Sequence, residues 1–327
     1  MTAVLRVGWD DPDVAVLRTV QQAELRELYG DDDIGHTMTG DGVLAAVLVR
    51  GDDGTALACG ALRDAPELGA GTGELKRMYV APGRRGAGLS RQVVEELEAI
   101  AAEAGLTRLV LETGALQASA IGLYLSAGYV PIDRFAPYED ETTSRCFAKE
   151  LGAPAPARVA GVVDTEGIVV ERTGWTDPTA VALRAEMGAF LRSLYGRSGW
   201  FADAETVAAA DRAEAARALV VLVARDEAGP LGTLTLSADP DGRPAGWGEL
   251  ERLLVLPRSR RRGVARMLLR EAEREARARG MSAVTLSTGY LQLPAMRLYL
   301  AAGYRIVEAA GARWRDQGRL FWFAKAL

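Results

Sequence analysis

An α+β fold, a sheet with crossover helices, is predicted twice over in this chain, and three observations predict it. The stretch from Gly73 to Arg91 runs from an apolar, β-prone segment (Leu75, Met78, Tyr79, Val80) through Pro82 and a Gly/Arg turn into helix formers. It recurs without a gap from Gly248 to Arg266, Glu74 corresponding to Glu249 at an offset of 175 residues. Between the copies, Gly152-Ala153-Pro154-Ala155-Pro156-Ala157-Arg158 has the composition of an extended, semi-rigid linker. The expected domains are residues 1–151 and 166–327, joined by a linker over 152–165.

Each copy reads in the same order. A short strand (Ala3–Val7; Ile168–Arg172) meets an Asp-Pro pair, an Asp-led helix start. An amphipathic helix follows, with apolar residues at Val16, Leu17 and Val20, and at Val181, Leu183 and Met187. An irregular region comes next, near 30–42 and 196–216. Two apolar runs joined by a hairpin turn then appear, Val43–Val49 with Ala56–Leu62 and Leu219–Ala224 with Gly232–Ser237. The central strand and its turn lead into a helix that ends at Gly105 or Gly280, where glycine suits the left-handed backbone of a helix terminus. A strand (Thr107–Glu112; Ser282–Ser287), a second helix ending in Ala-Gly-Tyr and terminal strands complete the order β-α-β-β-β-α-β-α-β-β.

Composition narrows the function. The 327 residues suffice for two cores, and the hydrophobic and charged fractions, 49% and 25%, are those of a globular protein in water. No segment approaches the roughly 18 consecutive apolar residues that span a bilayer, and Met1–Asp13 lacks an apolar signal core, so the expected location is cytoplasmic. A net charge of −5 argues against nucleic acid. Cys59 and Cys146 make neither a disulfide framework nor a zinc site and read as small buried thiols. The single histidine, His36, reads as a solvated loop residue, and no metal site is expected. Only three of the 39 basic residues are lysine: Lys76, Lys149 and Lys325.

A strand, a glycine-bearing turn and a helix start make an anion site. Glycine lets the backbone approach a phosphate, and the first helical amides are unpaired donors at the positive end of the dipole. Arg85-Gly86-Ala87-Gly88-Leu89-Ser90 and Arg260-Arg261-Arg262-Gly263-Val264-Ala265 occupy that place in the two halves. Downstream, Gln117…Tyr124…Gly128-Tyr129 and Gln292…Tyr299…Gly303-Tyr304 repeat one another. On these motifs each half resembles a GNAT (Gcn5-related) N-acyltransferase, over most of its length. The turn is similar to that family's acyl-CoA signature, Gln/Arg-x-x-Gly-x-Gly/Ala, matched in full in the second half and with Ser90 at the last position in the first. The resemblance implies two tandem acyl-CoA-binding domains, each a mixed, mostly antiparallel sheet with flanking helices.

It further implies acetyl-CoA as acyl donor, with no metal, and direct attack of an amine on the thioester. The turn residues just named would hold the diphosphate, and the backbone of Met78, Tyr79 and Val80, or of Leu253, Leu254 and Val255, would pair with the pantetheine arm. Tyr124 and Tyr299 would give a proton to the departing thiolate, since an unperturbed phenol keeps its proton at neutral pH. Glu74 and Glu249 are the carboxylates expected to take the amine's proton; their structural alternative is pairing with Arg77 or Arg252. The first half, with the glycine-richer turn, is the favoured working site. Acidic runs at Asp31-Asp32-Asp33 and Glu139-Asp140-Glu141 would attract a cationic amine, or are simply solvated. The expected acceptor is a primary amine of a small molecule, and the chain a monomer or homodimer. A peptide or protein N-terminus, an antibiotic, or a non-catalytic acyl-CoA-binding scaffold are the alternatives.

Overall fold

The computed structural model describes residues 2–30, 38–152, 165–196, 204–238, 242–309 and 320–327. His36, Asp31-Asp32-Asp33 and most of the linker lie outside them. The chain divides into two compact units, Met1–Ala157 and Arg158–Leu327.

In the first unit the elements are β1 (Thr2–Val7), α1 (Pro12–Tyr29), β2 (Val43–Gly51), β3 (Ala56–Asp64), β4 (Thr72–Val80), α2 (Leu89–Glu103), β5 (Arg108–Gly114), α3 (Ala118–Ser126), β6 (Val130–Ile132) and β7 (Ser144–Glu150). They form a seven-stranded sheet in the order β1-β2-β3-β4-β5-β7-β6. Only β4 and β5 run parallel, because α2 carries the chain back between them. The second unit has β8 (Val169–Thr173), α4 (Pro178–Tyr195), α5 (Ala204–Arg217), β9 (Ala218–Asp226), β10 (Gly229–Ala238), β11 (Trp247–Val255), α6 (Val264–Ala278), β12 (Ala283–Gly289), α7 (Leu293–Ala301), β13 (Arg305–Val307) and β14 (Leu320–Ala326). Its sheet repeats the order, with β11 and β12 the parallel pair. Among the described residues no helix is long and apolar enough to cross a membrane.

The expected order of elements holds, with one correction. The region near 196–216 is not irregular throughout, because α5 occupies Ala204–Arg217. Its sequence lacks a strong apolar stripe, so periodicity hides it; its alanine content, the best helix former, is what supports it.

The start of the first helix in each unit has a chemical cause. Asp11 accepts hydrogen bonds from the amides of Asp13 (2.9 Å) and Val14 (3.2 Å), and Asp177 accepts from Thr179 (2.9 Å) and Ala180 (3.1 Å). Pro12 and Pro178 occupy the first turn, where their missing N–H costs nothing. One face of each sheet packs on the helix so started: Val14 and Leu17 on Ala46, Leu48, Cys59, Ala61 and Tyr79, and Ala180 and Leu183 on Val221, Val223, Leu254 and Leu256. Both cysteines are buried free thiols, and burial pushes each up to about 12.

The other helix–sheet contact carries a repeated polar lock. Lys149 lies 2.7 Å from both oxygens of Glu98, and Lys325 lies 2.8 Å from both oxygens of Glu273, each beneath a buried tyrosine, Tyr129 or Tyr304. Tyr304 Oη also donates to Glu273, at 3.1 Å. Removing the cation strands a buried carboxylate. Lys325→Met is therefore expected to destabilise the second unit by about 2 kcal/mol, less than a fully buried pair because the lysine keeps some contact with water. Urea unfolding tests it: an unchanged midpoint would contradict the lock, and Lys325→Met with Glu273→Gln should cost less than the two single changes added.

Candidate functional site

The central strand is bent at a fixed place in both units. Cys59 pairs with Tyr79 and Ala61 with Lys76, so Arg77 and Met78 oppose the single residue Gly60. Arg252 and Leu253 likewise oppose Leu234. Arg77 and Arg252 take positive φ, 56° and 58°, the extra residue of a bulge. The parallel ladder stops just before it. Its last rungs are Leu75 with Leu111 and Glu249 with Thr285. Beyond them the two strands have no shared ladder, while each stays paired on its outer side. The sheet therefore splits, leaving backbone groups of β4 and β11 turned towards a cleft.

The turns that follow also differ from the capped starts of α1 and α4, and from α3 and α7, which are uncapped but begin at glutamine. Gly88 and Gly263 stand at the caps of α2 and α6 with φ of 80° and 76°, and neither helix has a side-chain cap. A left-handed glycine at that point leaves the first amides of Leu89 and Ser90, and of Val264 and Ala265, without a carboxylate of the chain's own, in contrast to α1 and α4. The turn Gly83–Gly88 is exposed. This is a fit for a diphosphate: open amides, a positive dipole end and arginines beside it. Gly86 and Arg261 share one backbone conformation, φ 80° and 66°, which glycine adopts freely and arginine only under strain.

Not every residue expected to bind the donor is disengaged. Arg85 donates from Nε to the carbonyl of Val80 (3.0 Å) and from Nη2 to Glu24 of α1 (2.6 Å). The carbonyl of Met78 accepts from Gln21 Nε2 at 2.8 Å. In the second unit Arg260 Nε reaches the carbonyl of Val255 at 3.4 Å, and Arg262 pairs with Asp226 of the preceding hairpin at 2.9 Å. Gln21 corresponds to Met187, which has no amide to donate.

The carboxylates expected to act as bases are ion-paired, but with other partners than Arg77 and Arg252. Glu74, 2% exposed, contacts Arg63 Nε at 2.8 Å and Lys76 Nζ at 3.1 Å. Glu249 contacts Arg217 Nη1 at 2.9 Å. The reason is the strand's period: residues two apart share a face, so Lys76 lies beside Glu74 while Arg77 is displaced by the bulge. Lys76 also bonds Tyr138 Oη. Burial works against its charge, but Glu74 and Tyr138 hold the ammonium above the ordinary lysine value.

Sequence reasoning missed Arg63, Lys76 and Tyr138 in the first unit, and Arg217, Ser237 and Glu251 in the second. Glu251 stands where Lys76 does. Its oxygens contact Arg217 Nη2 (2.9 Å) and Ser237 Oγ (2.5 Å). Arg252 forms a two-pronged pair with Glu214 of α5, at 2.6 and 2.7 Å. Period two along the strand could have found Lys76 and Glu251; Arg217 and Glu214 depend on a helix that periodicity did not show.

Tyr124 and Tyr299 are both buried. Tyr124 lies edge-on to Tyr129 (centroids 5.8 Å apart) and Tyr299 packs on Tyr304 (6.0 Å) and Phe323 (5.4 Å). Burial pushes both hydroxyls above the usual phenol range, and for Tyr124 the charge of Glu112 adds to it. Glu112 also acts on Tyr138, the partner of Lys76, so Tyr124, Glu112, Tyr138, Lys76 and Glu74 form one electrostatic neighbourhood across the split.

Comparison with known proteins gives the same family for both units. The profile of the acetyltransferase (GNAT) family matches residues 16–129 and again 186–304. An IAA acetyltransferase from Azospirillum brasilense is 40% identical over 104 residues, which are 32% of this chain and 67% of that protein. A candidate acyl-CoA N-acyltransferase from Klebsiella pneumoniae subsp. pneumoniae MGH 78578 is 31% identical, with a TM-score of 0.40, 46% of this chain and 98% of that one being covered. An IAA acetyltransferase from Bacillus cereus ATCC 14579 is 20% identical at a TM-score of 0.36, with 49% of this chain and 99% of that one covered. Two profile matches, each spanning the bulged strand, the uncapped turn and the tyrosine-bearing helix, mean that this chain belongs to the acetyltransferase (GNAT) family, with two such domains in tandem.

Proposed function

We propose that the protein is an acetyl-CoA-dependent N-acetyltransferase that acts on a primary amine of a small molecule. Membership of the family supports acyl transfer. The observation that carries the donor is the uncapped helix start with a left-handed glycine, found after the split strand in both units, against capped starts at α1 and α4.

When bound, acetyl-CoA supplies the activated acyl carbon. The chain's own groups do the rest. Amides of Gly86 to Ser90 and of Arg261 to Ala265 hold the diphosphate, helped by Arg85 and Arg260, which must first give up their bonds to Val80 and Val255. Backbone groups of Met78–Val80 and Leu253–Val255 line the cleft for the pantetheine arm. Tyr124 and Tyr299, kept protonated by burial, supply the proton for the leaving sulfur. Glu74 and Glu249 lie on the strand just before the split, where a carboxylate must take up the amine's proton; Glu74 serves there only if Arg63 and Lys76 let go of it.

The test is direct. Purified protein is titrated with coenzyme A and acetyl-CoA by calorimetry, and thiol release from acetyl-CoA is followed across a panel of small amines. Binding in the micromolar range and amine-dependent release are expected. No heat with either thioester or thiol would sink the donor assignment, and binding without release on any amine would leave a scaffold protein instead.

A further inference from the structure

The two units are alike in backbone where their sheets split, and carry opposite charges at one aligned position. Lys76 opposes Ala61 just past the last parallel rung, and Glu251 opposes Thr235 just past its own. Ala61 belongs to the core cluster under α1, so this residue lies on the helix-covered face of the strand, at the mouth of the cleft. Around it the second unit makes two exchanges. Arg63, the cross-strand partner of Glu74, is replaced by Ser237, the cross-strand partner of Glu249, and Lys76 is replaced by Glu251. The strand face thus changes from one carboxylate paired with Arg63 and Lys76 to two carboxylates that both pair with Arg217.

Resting on the acyltransferase reading above, we propose that the C-terminal unit takes a cationic amine acceptor, Glu249 and Glu251 binding its ammonium and Glu251 accepting its proton, while Lys76 closes the N-terminal unit to such acceptors. An aliphatic amine reaches the site as an ammonium at neutral pH and has no lone pair to attack with until one proton leaves. That proton passes from nitrogen to a Glu251 oxygen. The N–H electron pair stays on nitrogen as the lone pair, and the carboxylate becomes a neutral acid. Glu251 suits the task because it holds a proton more firmly than an ordinary glutamate: burial, then the charge of Glu249, push it up to about 7, with the Ser237 bond and Arg217 pulling the other way. The other charges that face it are Glu214 and Arg252, a closed pair, and Arg243 beyond Glu249. Its side chain keeps 16% of its surface open against 2% for Glu74, so a ligand can reach it. In the first unit the incoming ammonium meets Lys76, which its neighbours keep charged, and like charges at one spot repel.

Calorimetric titration of the full chain at pH 8 tests this, with 1,4-diaminobutane as the cationic probe and β-alanine, an amine bearing a carboxylate, as the comparison. The diamine is expected to bind at one site per chain and more tightly than β-alanine. Glu251→Gln should weaken it at least tenfold, Glu251→Asp should recover most of the affinity, and Lys76→Glu should add a second site. Thermal melts show which variants fold; where Glu251→Gln does not, Lys76→Glu decides. Diamine affinity unchanged in Glu251→Gln, β-alanine bound as well as the diamine, or no second site in Lys76→Glu would each overturn the assignment. Coenzyme A titrated in parallel separates the two readings: if it binds while the diamine series fails, the acceptor inference falls and the donor assignment stands.

Discussion

Gly263→Asp is expected to cut amine acetylation roughly a thousandfold and to leave the fold almost as stable as before. Gly263 caps α6 in the left-handed region, φ 76°, and no side chain bonds the amides behind it. Aspartate enters that region more readily than most residues, and its charge is favourable at a helix N-terminus. The backbone cost and the dipole gain are each about 1 kcal/mol, so they nearly cancel. The twin position Gly88 has open space where a Cβ would be, so a side chain there meets no atom. Binding is another matter. A carboxylate about 4 Å from a diphosphate charge costs about 4 kcal/mol at the effective dielectric of a protein surface, which is the thousandfold expected. Gly263→Asn has the same shape and backbone cost without the charge. It should keep most of the binding, so the difference between the two variants measures electrostatics alone. Calorimetry with coenzyme A reads it, together with thiol release and a melting curve. Acetyl-CoA bound equally by wild type and Gly263→Asp at the second turn would show that the diphosphate does not sit there.

Most of this architecture was legible from the repeat. Aligning the two stretches at one offset gives the central strand, the turn and the helix start, and Asp-Pro marks the first helix of each half because both residues act locally. What periodicity could not give was α5, whose apolar positions form no stripe, and with it Glu214 and Arg217. The partners of Glu74 and Glu249 were misplaced for a related reason. Counting three residues along the chain leads to Arg77 and Arg252, but a strand repeats every two, and the bulge puts those arginines out of register. The exchange of Lys76 for Glu251 is visible in the aligned sequences. Its meaning is not, because it depends on Arg63 and Ser237, which come from the neighbouring strand, and on how much water each carboxylate retains.

Tyr299→Phe carries the second large effect: kcat is expected to fall about a hundredfold or more while KM for acetyl-CoA stays within a factor of two. The change removes one oxygen and keeps the ring, so packing on Tyr304 and Phe323 survives and the melting temperature should barely move. A proton delivered to a leaving group matters only as the bond breaks, and such general-acid help is worth 10²–10⁴ in rate. The hydroxyl suits the role because burial raises its pKa above the phenol range, so it stays protonated across the whole useful pH range. The pH profile should accordingly show no alkaline limb from Tyr299 below about pH 10, whereas an acidic limb near 7 belongs to Glu251 and should vanish in Glu251→Gln. The two residues are thus separable in one experiment: Tyr299→Phe lowers the plateau without moving the acidic limb, and Glu251→Gln moves the limb. Tyr124→Phe supplies the comparison. If the N-terminal unit is closed to cationic amines, that variant changes diamine turnover far less than Tyr299→Phe does. An equal loss from both would mean that both units transfer, and a loss from Tyr124→Phe alone would put the chemistry in the half that carries Lys76. If kcat for Tyr299→Phe stays within twofold of wild type, the phenol is a packing residue and the leaving thiolate takes its proton from elsewhere.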